Sequence, residues 1–323
     1  MRMRSIAAAA VALVLLTPLH SSAQQRFALI VSGAAGGPEY AGQYDRWAGQ
    51  LSKTLIEGLK FDHALVTLLS DTPRPASAST AENVRRAIAS VSARMVRDDV
   101  FFIVLIGHGT FDGTDAKFNL VGPDLESTEW SALLKSVPGR IVIVNTSSAS
   151  FPFLERLSGP RRIVITATDS SAQRYDTVFP EYFIRALTDS AADLDKNERI
   201  SMWEAFTAAS AGVRRHYQQR GQLSTEHALL DDNGDGVGSE VSTPGEDGSL
   251  ASRTYLDPAL PGAAPTDDVL LKLLQRKTNL EAEVEDLKIR RAFLPAADYA
   301  KEFERLMIDL AQVSHDIRVR TKT

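Results

Sequence analysis

The stretch Val100-Phe-Phe-Ile-Val-Leu-Ile-Gly-His-Gly109 constrains the fold of this chain more than any other. Seven consecutive apolar residues are too few for an amphipathic helix and show no alternation, so they fit a strand buried on both faces, as inside parallel sheets. The run stops at Gly107-His108-Gly109. Open α/β sheets bind their ligands at the carboxyl ends of the strands, where a histidine between two glycines has little steric cover. His108 is therefore the first candidate for chemistry. The alternative is a histidine whose ring only bonds a neighbouring loop.

The flanking segments extend the pattern. Arg26 to Ser32 is a β-rich run ending in Gly33-Ala-Ala-Gly36-Gly37, and Tyr44 to Leu59 then has helical spacing through Trp47, Leu51 and Leu55. These glycines do not match the G-x-G-x-x-G dinucleotide fingerprint, which leaves a nucleotide fold as a weak alternative. His63 to Leu69 predicts a second strand, and Thr80 caps a helix running to Met95. Phe111 to Gly122 predicts a hairpin outside the sheet, and Trp130 to Leu134 a helix. Arg140 to Asn145 and Arg162 to Ala167 predict two further buried strands in direct succession, followed by helices at Pro180 to Ser190 and Met202 to Arg220. The expected fold is a three-layer α/β sandwich, with a mostly parallel sheet and helices on both faces.

A buried strand ending in His-Gly, followed by a second buried strand ending in a small-residue turn, resembles the caspase-like fold of the caspase and legumain cysteine peptidases (clan CD). In that family the second strand ends in an acidic residue, alanine and the catalytic cysteine; the matching positions here are Asn145, Thr146 and Ser147. Ser147 follows His108 by 39 residues, against about 50 between the two catalytic groups of caspases. Thr80 to Val84 and Ile163 to Leu187 resemble bacterial members as well, so the likeness extends over about Arg26 to Ala228. It implies a dyad at His108 and Ser147, in a secreted bacterial member with serine in place of the thiol. A hydroxyl attacks only with a strong, well-oriented base beside it. The departure therefore implies a non-catalytic binding or regulatory protein with a protein or peptide partner. The first alternative is a peptidase or esterase with Ser147 as nucleophile and His108 as base. A structural alternative has the Ser147 and Ser148 hydroxyls capping the following helix.

Two acidic loops follow. In Asp193-Leu-Asp-Lys-Asn-Glu-Arg-Ile-Ser-Met-Trp-Glu204 the residues Asp193, Asp195, Asn197, Arg199 (through its carbonyl), Ser201 and Glu204 occupy positions one, three, five, seven, nine and twelve of a calcium-binding EF-hand loop. Glu198 stands where glycine is expected. The competing reading is a charged turn between helices, with Glu204 in a helix cap. A weaker calcium candidate is Asp231, Asn233 and Asp235, with Ser242 at position twelve, so that Glu240 has to substitute for the bidentate glutamate. The alternative for this loop is a glycine- and aspartate-rich surface turn.

The ends of the chain read differently. Met1 to Arg4 is basic, Ile6 to Leu16 is apolar and Ser21-Ser-Ala23 is a small-x-small cleavage pattern, so residues 1–23 are expected to be a cleavable signal peptide. That implies a periplasmic or secreted protein. The absence of cysteine excludes a lipid-anchored cysteine, a disulfide framework and a thiolate nucleophile, so no membrane anchor is expected. With 36 basic against 41 acidic residues and no basic stripe, no nucleic-acid partner is expected. The α/β domain is placed at 24–228, an Asp/Gly-rich loop and linker at 229–265, and a helical region at 266–323. There Leu270, Leu273, Leu280, Val284 and Leu287, then Tyr299, Phe303, Leu306, Leu310, Val313 and Ile317, predict an antiparallel coiled-coil-like hairpin around Pro295. Its apolar edge is expected to meet the α/β domain or a second copy, making a homo-oligomer or a scaffold.

Overall fold

The computed structural model describes residues 24–173, 175–241, 246–258 and 268–321; the expected signal peptide lies outside them. The chain opens with β1 (Arg26–Ser32), α1 (Pro38–Lys53), β2 (Val66–Leu69), α2 (Ala81–Arg94) and β3 (Val100–Ile106). Three short strands follow, β4 (Gly109–Phe111), β5 (Ala116–Phe118) and β6 (Leu125–Glu126), then α3 (Ser127–Leu134) and β7 (Arg140–Asn145). Next come α4 (Phe151–Leu157), β8 (Arg162–Thr166), α5 (Phe179–Ala186), α6 (Met202–Gln219) and β9 (Leu229–Asp231). The chain closes with α7 (Asp268–Ile289) and α8 (Ala296–Thr321).

The main sheet has the order β2-β1-β3-β7-β8-β9, and every pairing is parallel except β8 with β9. Its two faces carry separate cores, which makes three layers. Ala28, Ile30, Phe102, Val104, Val142, Val144 and Ile165 pack with α1, α5 and α6. The alternate residues Phe27, Leu29, Phe101, Ile103, Leu105, Ile141 and Ile143 pack with α2, α3 and α4. All seven residues of β3 are buried, as its unbroken apolar run requires. Beside the main sheet, β4, β5 and β6 form a small antiparallel sheet, the expected hairpin with one added strand.

Three expectations are corrected. Between β7 and β8 the chain makes α4, a seven-residue helix whose Phe153, Leu154 and Leu157 bury into the second core. Seven residues hold too few turns to display a period. The helix expected at Pro180 to Ser190 ends at Ala186. The segment assigned to a loop and linker is largely part of the α/β domain: Leu229–Asp231 is the antiparallel edge strand, and Asp247, Ala251, Thr254 and Leu256 are buried. Asp232 ties that segment down, its carboxylate accepting the Gly248 and Ala251 amides. Arg199 binds Asp257 through two 2.8 Å contacts with its guanidinium over Tyr255. The domain thus extends to about residue 257, and the rest of the expected linker, 259–267, lies outside the described residues.

The last two helices form the expected hairpin. Leu280, Val284, Leu287 and Leu306 make its own small core. A second cluster, Leu270, Leu274 and Ile317, packs against Leu194 of the α/β domain.

Candidate functional site

Both members of the expected dyad sit on the carboxyl rim of the sheet. The parallel register pairs Leu105 with Asn145, so His108 and Ser147 leave neighbouring strands within a turn of each other. Gly109 lets them close: a side chain there would run into the Ser148 carbonyl and sit 2.8 Å from Ser147 Oγ. The Ser148 hydroxyl instead accepts from the Gly109 amide at 3.3 Å and donates to the Gly109 carbonyl at 3.2 Å.

The two side chains face different partners. His108 Nδ1 lies 3.0 Å from Asp176 Oδ1. Nε2 lies 3.2 Å from the Ala35 carbonyl and 3.1 Å from the Tyr44 hydroxyl. Both ring nitrogens are thus engaged by Asp176, Ala35 and Tyr44, and none of these contacts involves Ser147. The Tyr40 ring packs edge-on at 4.8 Å. Its phenol is pushed up by a hydrogen bond to Asp176, and the Tyr44 phenol is pushed up by burial and by the Asp176 charge, so both hold their protons.

Ser147 is fully buried. Its hydroxyl donates to Asn145 Oδ1 at 2.7 Å, and its amide donates to the same oxygen at 3.1 Å. No hydrogen bond joins it to His108. The capping alternative is also corrected: the N-cap of α4 is Ser150, and Ser147 and Ser148 spend their hydroxyls on Asn145 and Gly109. Ala149 bends the turn away, with φ at +50°, and its amide donates to the Gln173 carbonyl. A left-handed alanine is a strained conformation held by its surroundings.

The first acidic loop brings Asp193, Asp195 and Glu204 together, all buried, with one ligand oxygen of each within 4.8 Å of the others. Three carboxylates at that spacing are enough to hold a metal ion. Asp193 accepts the Asn197 and Glu198 amides, and Asp195 accepts the Asn197 amide and side chain. Asn197 Oδ1 in turn accepts the Arg199 amide. Glu198 has φ at +65°, the left-handed geometry for which glycine was expected. Glu204 takes part in both readings of the loop. It closes a capping box with Ser201 at the start of α6, and its other oxygen accepts the Leu194 and Asp195 amides. Burial, then the Glu204 charge, pushes the Asp195 carboxyl up to about 7. The Glu204 carboxyl is raised by burial as well.

The second acidic loop is less complete. Asp231 accepts the Gly234 and Gly236 amides, and Asp235 accepts the Val237 amide. The Asn233 side-chain amide donates to Asp235 Oδ2 at 3.0 Å. Glu240, needed in place of the bidentate glutamate, turns instead toward His227, 3.6 Å away, because Leu230 and Ser239 pair through their backbones and close the loop before it.

Asp176 is the residue that the sequence did not single out. It lies in an irregular segment between β8 and α5, with no spacing or strand end to mark it. That segment is anchored by Thr177, whose hydroxyl donates to the Thr146 carbonyl, and by buried Glu226, which accepts the Val178 and Phe179 amides.

No family model and no curated protein matches the chain. Among solved structures it is similar to a structural-genomics protein of Geobacter sulfurreducens, at 15% identity and a TM-score of 0.46, covering 72% of this chain and 99% of that one. Among the described residues no helix is long and apolar enough to cross a membrane.

Proposed function

We propose that the chain is a periplasmic or secreted protein of the caspase and legumain peptidase type that has lost thiol catalysis and serves as a binding or regulatory protein for a protein or peptide. The observation that supports this most is the state of Ser147. A nucleophile needs its hydroxyl exposed and bonded to a base, whereas this one is buried and donates to Asn145. His108 is committed to Asp176, Ala35 and Tyr44. The second reading, a serine hydrolase, draws on the His108–Asp176 contact, since a carboxylate that orients an imidazole is one part of a hydrolytic site. Amide and ester turnover decides between them. Rates at the level of buffer are expected, and turnover that disappears in both Ser147→Ala and His108→Ala overturns the proposal.

For the loop from Asp193 to Glu204 we propose calcium as the ion. An all-oxygen set of three carboxylates, Asn197, and the Arg199 carbonyl is the chemistry of a hard cation. Because Leu194 lies inside the loop and touches the hairpin, bound calcium stabilises both elements by mass action. The melting temperature is expected to rise with calcium, to rise less with magnesium, and to lose its calcium response in Glu204→Ala. A melting temperature indifferent to calcium removes the assignment.

A further inference from the structure

A separate set of ligating side chains meets where β8 ends and β9 begins. Asp169 follows β8, His227 precedes β9, and Glu240 follows Ser239, which pairs with Leu230. One ligand atom from each lies within 4.8 Å of the other two. His227 Nδ1 is 3.6 Å from Glu240 Oε2, while Nε2 is 3.3 Å from the Ser224 carbonyl. With Nε2 donating to that carbonyl, Nδ1 is the ring atom on the Glu240 side that would bind an ion. Metal-ligating histidines are oriented in this way, the second ring nitrogen being held by a backbone carbonyl or carboxylate.

The surroundings leave room for an ion and a further ligand. Asp169 is exposed and lines one cavity together with Glu240. His227 and Glu240 line a second cavity, which Ser210 and Arg214 also line.

The geometry points to a transition-metal site formed by Asp169, His227 and Glu240, taking Zn2+ or a similar borderline divalent ion with coordination positions open to the cavities. The donor set separates it from the acidic loop. One imidazole and two carboxylates suit zinc-like ions, whereas an all-oxygen set suits calcium. Three protein ligands with an open position is also the count of zinc sites that bind further ligands. None of the three residues belongs to the His108 and Ser147 pair, so the inference stands whether or not that pair is catalytic.

The test is a titration of the full chain with Co2+ and then Zn2+, with calcium present in excess to occupy the acidic loop. One equivalent is expected to bind, with a Co2+ visible spectrum showing a nitrogen donor. His227→Gln is expected to weaken binding by at least about 100-fold, the upper end of what loss of an outer partner costs a metal site. Asp169→Asn, at an exposed position, is expected to weaken it as well, and it reports on the site even where His227→Gln disturbs the fold. Absence of binding to the unaltered chain overturns the site and leaves His227 and Glu240 as an ion pair. Equal binding by the unaltered chain and both variants overturns it too.

Discussion

At the scale of single residues, the rim of the sheet is built by what cannot be there. Gly109 has no room for a side chain against the Ser148 carbonyl and Ser147 Oγ. Gly109→Ala is therefore expected to destabilise the protein by about 1–3 kcal/mol, the usual cost of overpacking, measured as a lower denaturant midpoint. Glu198 gives the opposite case, a residue held left-handed where glycine is at ease. A left-handed non-glycine costs about 1–2 kcal/mol, and glycine returns about 0.4–1 kcal/mol of that through the freer unfolded chain. Glu198→Gly is expected to raise stability by a fraction of a kcal/mol to about 1 kcal/mol, and a loss of stability in that variant refutes the strain. The sequence made His108 and Ser147 visible because each ends an apolar run, and a run of that kind has few ways to fold. It hid Asp176 because an irregular segment carries no period, and its carboxylate reaches His108 only after α5 and Glu226 have fixed the segment. Nor did it show that the Ser147 hydroxyl would turn to Asn145, since both residues were equally consistent with a dyad facing outward.

Among the elements, the buried strands and the β4–β5 hairpin were legible, and the edge strand β9 and helix α4 were not. Buried β1, β3, β7 and β8 announce themselves as apolar runs, whereas β9 has three residues and α4 only seven. The segment from Glu246 to Asp257 was read as a linker because it is rich in small and polar residues. Its order comes from tertiary carboxylates that composition does not reveal. Asp247 accepts the Asp232 amide and the Ser239 hydroxyl, and burial pushes its carboxyl up to about 6 from an ordinary 3.8, with the Asp232 and Asp231 charges adding to the shift. The folded chain therefore holds this proton more tightly than the unfolded chain. Its contribution to stability is fully present below 3.8 and is lost as the pH rises through about 6. Asp195 and Glu226 are raised by burial too and act in the same direction. Melting temperatures followed from mildly acidic to neutral pH are expected to fall less steeply in Asp247→Asn than in the unaltered chain; identical slopes contradict this account of the segment.

On the scale of the whole molecule, the three-layer domain and the hairpin have largely separate cores. The hairpin buries Leu280, Val284, Leu287 and Leu306 in itself and meets the domain through Leu270, Leu274, Ile317 and Leu194. Removing residues 268–321 is expected to leave the sheet folded, with cooperative unfolding retained and a lower midpoint. Loss of cooperative folding on that truncation places the hairpin in the core of the domain. The central claim concerns the carboxyl rim of the sheet, where Ser147 is buried and its hydroxyl donates to Asn145 and not to His108. A fluorophosphonate probe, which marks only serines activated by a base, tests it most directly. The account predicts no labelling of the unaltered protein; labelling that is abolished by Ser147→Ala and by His108→Ala contradicts it.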